Sequence, residues 1–108
     1  MNILKLQAVE AGSYIVEIVF RDENRNLVVP YDITWTIATV DGNIINNKED
    51  EVYEIPASTI NIVLTGSDLV PGWIVLTIKA KYDSNLGSNL PIRDAVKFYV
   101  RDLNEEDL

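Results

Sequence analysis

The chain has 108 residues, a hydrophobic fraction of 47% and no Cys or His, and its nine Lys and Arg face seventeen Asp and Glu for a net charge of -8. That is enough apolar material for one domain around a single core, and too much for a disordered chain. The acidity argues against nucleic-acid phosphate as a partner, and the missing Cys and His remove disulfides, thiolate chemistry, the commonest metal ligand and the usual general base near neutral pH.

In chain order the pattern is one of short strands. Residues 3–9 set Leu4, Leu6 and Ala8 against Ile3, Lys5 and Gln7, and Gly12 with Ser13 break that run. This opening is too short, and too interrupted by Lys5 and Gln7, for a secretory segment. No apolar run approaches the ~18 residues that would span a membrane. Residues 14–20 follow, with Tyr14, Val16, Ile18 and Phe20 on one side and Ile15, Glu17 and Val19 on the other. The polar run 22–26 reads as a turn, and residues 27–29 as a short apolar return ended by Pro30.

Residues 32–40, D-I-T-W-T-I-A-T-V, carry the cleanest alternation. Ile33, Trp35 and Ile37 form a core face with Trp35 at its centre, while Thr34, Thr36 and Ala38 suit the opposite face. Asp41-Gly42 predicts a two-residue hairpin turn and a return at residues 43–45. Residues 52–55 are expected as a further strand closed by Pro56, and residues 59–64 as the next. Ser67 could cap one short helical turn before Pro71 stops it.

Val70-Pro71-Gly72 has the order of a turn whose second central residue takes positive φ, and it launches residues 73–82, the longest expected strand. A loop at residues 83–91 leads to a last strand in which Val96, Phe98 and Val100 alternate with Lys97, Tyr99 and Arg101. Residues 102–108 are acidic, lack periodicity and are expected to fray from a single domain of residues 1–101. The sum is an all-β chain, expected to be an immunoglobulin-like β-sandwich of about seven antiparallel strands, with a small barrel as the rival.

Charge is unevenly placed. Lys79, Lys81, Arg93, Lys97 and Arg101 lie in the last third, and Asp41, Glu49, Asp50, Glu51 and Glu54 crowd the middle. Solvated charge on a sheet is the simpler reading of both groups, opposite-signed faces the sharper one.

The candidate chemical sites are weak. Asp22-x-Asn24-x-Asn26 opens like a calcium loop, but Leu27 stands where Gly is required and Ile33 where the bidentate Glu belongs, so a turn is expected. The acidic residues 49–54 read as a solvated loop rather than a cation site. No His or Cys stands beside any Ser or Thr, and paired carboxylates would need a deep cleft, so no enzyme, catalytic residue, metal or cofactor is expected. Trp73, Tyr31, Tyr53, Tyr82 and Tyr99 offer a sugar-stacking platform, against which ordinary sheet packing is the commoner fate.

The most unusual stretch is D-S-N-L-G-S-N-L-P, residues 83–91. It repeats Ser-Asn-Leu around Gly87 and places Leu86 and Leu90 where a connection should be polar. Either both leucines fold back and plug the end of the sandwich, the favoured reading, or Leu86, Gly87 and Leu90 form a protein contact.

V-F-R-D-E-N-R-N-L-V-V-P at residues 19–30, I-T-W-T-I at 33–37 with D-G-N-I-I-N-N at 41–47, and K-Y-D-S-N-L-G-S-N-L-P-I-R-D at 81–94 together resemble small immunoglobulin-like proteins encoded by tailed bacteriophages and prophages. The resemblance spans most of the chain. Residues 69–72 also resemble the L-x-P-G turn of fibronectin type III domains, with Val75 where that family has Tyr. The phage resemblance implies a non-enzymatic virion structural or accessory protein, working in the virion or in host cytoplasm during assembly by contacts with other virion proteins or itself. The competing class is a free-standing extracellular binding module, carbohydrate-binding or adhesin-like.

Overall fold

Strand alternation decides which side chains are buried, and register decides how they meet. The computed structural model describes Asn2–Ile3, Ala8–Val9 and residues 12–102, the first two segments by their backbone alone. The middle of the expected first strand and the tail beyond Asp102 lie outside the described residues. Eight strand segments are present: β1 (Asn2–Ile3), β2 (Ala8–Val9), β3 (Ser13–Val19), β4 (Tyr31–Thr39), β5 (Glu51–Val52), β6 (Thr59–Thr65), β7 (Gly72–Ser84) and β8 (Gly87–Arg101). Of the about seven strands expected, five long ones carry the sheets, while β1, β2 and β5 are two residues each, the expected strand 52–55 being reduced to Glu51–Val52. The chain is all-β, and a single 3-10 turn at Gly66–Asp68 is the only helical element among the described residues.

The strands form two sheets rather than one closed barrel. The larger has the order β1-β8-β7-β4-β5, with β2 also on β8, and the smaller is the pair β3-β6. β1 and β2 run parallel to β8, and every other neighbouring pair is antiparallel. Val16, Phe20, Ile60, Ile62 and Leu64 from the β3-β6 side meet Ile33, Ile37, Ile74, Leu76, Ile78, Phe98 and Val100 from the larger sheet. This layering puts the inward residues of both sheets in one apolar core. Phe98 is fully buried and stacks on Tyr14 with ring centroids 4.9 Å apart.

Trp35 faces the core between Ile33 and Ile37, as its parity demands, but it is only half-buried. The reason is local. Beside it β5 pairs with β4 at only Thr34↔Val52 and Trp35↔Glu51, and the Lys48 ammonium, 5.6 Å from the ring centroid, covers part of the exposed indole.

Several turns differ from the sequence reading. The hairpin after β4 has three residues in its loop, not two: Gly42 N-H donates to Thr39 O and Thr39 N-H to Asn43 O, with Gly42 at φ 91°. Gly rather than Asp carries the positive φ that lets a third residue fit. The expected returns at residues 27–29 and 43–45 each shrink to a single bridge, Arg21↔Leu27 and Ala38↔Ile44. The largest correction concerns residues 83–91. They are not a loop but the end of a long hairpin, since β7 runs to Ser84 and β8 starts at Gly87.

That hairpin sets the shape. Fifteen residues of β8 at ~3.3 Å each extend about 50 Å. The molecule accordingly measures 53 × 25 × 24 Å.

Candidate protein-contact site

The outer end of the β7-β8 hairpin is built from turn chemistry and side-chain hydrogen bonds. Ser84 pairs with Gly87 across Asn85 and Leu86, and the register then shifts, Tyr82 pairing with Leu90 so that Ser88 and Asn89 together oppose Asp83. This is a β-bulge, and Asn89 adopts φ 55° within it. Asn tolerates the left-handed region better than most residues, so the bulge falls where the sequence allows it.

The bulge aims polar groups at one another. Asn89 N-H donates to Asp83 Oδ1 at 2.9 Å, and the Tyr31 hydroxyl, arriving from β4, donates to the same oxygen at 2.9 Å and contacts the Asn89 side chain as well. The Asn89 amide and the Tyr31 hydroxyl hold the Asp83 carboxyl below its ordinary value, in that order. Loss of hydration, followed by the hydrogen bond and charge of Asp83, raises the Tyr31 hydroxyl above its own. Both shifts favour the same state, a carboxylate accepting from a protonated phenol.

A second loop stands beside the tip. Asp22 Oδ1 accepts from the backbone N-H groups of Asn24 and Asn26, each at 2.9 Å, and Arg25 N-H donates to Asp22 O at 3.0 Å. The calcium-like motif is therefore a turn whose first carboxylate is occupied in holding its own backbone. Ser84 Oγ donates to Glu23 Oε1 at 2.8 Å and accepts from Leu86 N-H at 3.0 Å, which ties this loop to the hairpin. Between them lies a polar cleft of about 470 Å³, with Asp22, Glu23 and Asn26 on one wall and Asp83, Ser84 and Leu86 on the other. Tyr82 is raised by lost hydration first, then by Glu23 and Asp22.

Leu86 sits in the turn itself and is 77% exposed. Leu90 is half-buried, and it lies over Gly87, where an added Cβ would stand 3.4 Å from its Cδ2. Neither leucine belongs to the core cluster or packs against it, so the plug reading fails. Leu86, Gly87 and Leu90 instead share one protruding end, with Leu90 braced on its own hairpin and Leu86 held out in water by a turn that Ser84 fastens.

Other residues weighed from the sequence have contacts of their own. Trp73 is exposed on the outer face of the larger sheet, but the Lys97 ammonium stands 4.7 Å from its ring centroid and Tyr99 meets it edge-on at 5.3 Å. One face of the ring is thus already occupied by a cation. Asp50 lies 3.8 Å from Lys79, and its N-H donates to Thr36 Oγ1 at 2.9 Å. Among the described residues no group of three or more His, Cys, Asp or Glu is placed to hold a metal ion.

One cluster was missed from sequence. Asp68 is 4% exposed, accepts from Asn46 Nδ2 at 2.8 Å and from Thr65 N-H at 3.2 Å, and lies 3.9 Å from Lys48 Nζ. The signal was T-G-S-D, residues 65–68, in which an acidic residue three positions after Thr reaches back to cap the turn. Asn46 and Asn47, both at positive φ, bring the Asn46 amide to that carboxylate.

Comparison of the chain with protein-family models, curated proteins and solved structures returns no match.

Proposed function

We propose that this chain is a non-enzymatic, immunoglobulin-like β-sandwich protein of a tailed phage or prophage, a structural or accessory component that acts through protein contacts. Strand order supports the finer fold reading. Sheets of this kind pair B with E and place C, F and G together, with an added C′ beside C in variable-type domains. Here β3 and β6 make the first pair, while β8, β7, β4 and β5 take the places of G, F, C and C′. Trp35 lies on the strand corresponding to C, where such domains keep their core tryptophan.

The observation that carries the functional reading is Leu86, 77% exposed on a tip whose turn, bulge and neighbouring loop are fixed by side-chain hydrogen bonds. A large apolar side chain held out by a preorganised turn loses little freedom on docking, which is the economy of a contact anchor. The partners are other virion proteins or a second copy. Host cytoplasm during assembly, and then the particle, is the place of action.

Gradient sedimentation of a phage-producing lysate tests this. The chain is expected to travel with the particles, and Leu86→Asp combined with Leu90→Asp is expected to leave it at the top of the gradient while it still melts cooperatively. Full incorporation of that double variant, or a wild-type chain found only in the free fraction, would overturn the proposal.

A further inference from the structure

Among the described residues the two open edges of the larger sheet differ in charge, one acidic and the other with Arg93 beside Asp94. Along one, β5 and its flanks present Glu49, Asp50, Glu51 and Glu54, together with Val52 and Ile55 at 70% and 77% exposure. Along the other, β1 covers β8 at Val96 and Lys97 and β2 covers it at Val100 and Arg101, but among the described residues no strand pairs with the outer side of residues 87–95. Arg93 stands on that open stretch, across from Lys79, with Lys81 opposite Pro91. Among the described residues Arg93 has no salt-bridge partner, whereas Lys79 and Lys81 each have an exposed one. A hollow of about 300 Å³ lies beside Arg93, over the small side chains of Thr77 and Ala95.

We infer that the β5 edge of one copy docks on the open 87–95 edge of β8 of a second copy, continuing the sheet from molecule to molecule. This rests on the reading that the chain works through protein contacts, but it uses a surface other than the hairpin tip.

Charge selects the occupant. Two molecules of net charge -8 repel in most orientations, so a second copy approaches best where its acidic edge meets Arg93, whose neighbours Lys79 and Lys81 are already paired with Asp50 and Asp32 of their own chain. Polarity agrees. β8, β7, β4 and β5 alternate in direction, so a second copy lying in the same sense presents β5 antiparallel to β8, the slightly more stable pairing.

Register follows from the side chains. With Val52 opposite Ala95, whose N-H exchanges Asp94 Oδ1 (2.8 Å) for the neighbouring strand, the Val52 side chain meets the hollow. Tyr53 then faces Asp94 and Glu54 stands opposite Arg93, and the chain bends away at Ile55. The pairing is bounded at one end by that bend and Pro56, which has no N-H to donate, and at the other by β1 on Val96. So short an interface is weak, and being head-to-tail it builds a ring or a filament rather than a closed pair.

The chain contains no Cys, so engineered pairs can be read without background. An equimolar mixture of Val52→Cys and Ala95→Cys chains is expected, under mild oxidation, to give the mixed dimer about tenfold over either homodimer, and a chain with both substitutions to give a ladder. Glu54→Cys with Arg93→Cys, both at exposed positions, serves as a second pair should Ala95→Cys disturb the strand. In the Val52/Ala95 pair, Arg93→Glu on the Ala95→Cys chain should suppress the mixed dimer, and Glu54→Arg on the other chain should restore it. Homodimers in equal or greater yield from both pairs, or indifference to Arg93→Glu, overturns the inference. Tip variants Leu86→Asp and Leu90→Asp keep this edge intact and are expected to cross-link normally, so a failure of tip docking and a failure of edge docking give different results.

Discussion

The two halves of the β7-β8 hairpin share one backbone plan and are held by different forces. In the inner half Ile74, Leu76, Ile78, Ala80, Val96, Phe98 and Val100 are all buried, with Ile74 paired to Phe98 and Leu76 to Val96. In the outer half Lys81 pairs with Pro91, Tyr82 with Leu90 and Ser84 with Gly87, and no side chain from Lys81 to Pro91 is buried. The alternation continues through Tyr82 and Ser84, yet its face meets only the polar 22–26 loop and no strand of the smaller sheet, because β3 and β6 have seven residues each against thirteen in β7. Length mismatch between the sheets thus converts the end of a core strand into an exposed arm. What stabilises the arm is turn chemistry and the hydrogen bonds of Asp83, Asn89, Tyr31 and Ser84, not burial.

The sharpest way to break this comparison is to truncate one aromatic from each half. Phe98→Ala removes a fully buried ring and should cost about 3–5 kcal/mol, a large share of a small domain's stability. Tyr82→Ala, on the same hairpin but beyond the core, should cost no more than about 1 kcal/mol. Urea melts measure both, and equal losses would show that the outer half is packed after all. Trp35→Ala belongs near Phe98 but at the lower end, about 3 kcal/mol, since the ring is half-buried; Thr36→Ala on the opposite face should stay under about 1 kcal/mol.

Asp68 supplies a control in which a polar cluster is buried rather than exposed. Asp68→Ala leaves the Thr65 N-H and the Asn46 amide without their acceptor, and is expected to cost about 2–3 kcal/mol. Asp68→Asn keeps a carbonyl acceptor and should cost less. A melt in which both variants match the wild type would mean that the carboxylate does not fasten this corner.

The core was legible in the sequence, since alternation in residues 14–20, 32–40 and 73–82 placed Val16, Ile33, Ile37, Ile74 and Leu76 on their buried faces. The hairpin tip was not. Residues 83–91 contain Gly, Ser, Asn and Pro, whose ordinary reading is a loop, and the bulge at Asn89 interrupts the period of two by which a strand is recognised. Positive φ at Asp32, Asn46, Asn47, Asp50 and Asn89 marks places where the backbone departs from simple pairing. These five are Asp or Asn, but Arg25, at φ 66°, is neither, so residue type told only in part where irregularity is permitted and not which sites would use it. The Tyr31-Asp83 contact joins residues 52 positions apart, and no local pattern announces it.

The smallest expected effect, a shift in one titration, isolates what holds the arm. The Asp83 carboxyl lies below its ordinary value of 3.8 because the Asn89 amide, first, and the Tyr31 hydroxyl, second, donate to the charged form. A carboxylate with a depressed folded-state pKa stabilises the folded arrangement above its unfolded pKa, and that contribution is lost as pH falls through the folded value. The tip should therefore be intact at neutral pH and loosen only below pH 3.8, while the core half, held by burial, does not respond to that proton. The Asn89 amide resonance reports the event directly, because its N-H is bound to Asp83 Oδ1 at 2.9 Å. Its NMR titration midpoint is expected below 3.8, with the amide signals of Leu76 and Phe98 unmoved over the same range. Tyr31→Phe deletes one of the two donors, so the midpoint should climb toward 3.8 without reaching it, the Asn89 bond persisting. A wild-type midpoint at or above 3.8, or a Tyr31→Phe midpoint that does not rise, would mean that the hydrogen bonds drawn at the tip do not hold it in solution.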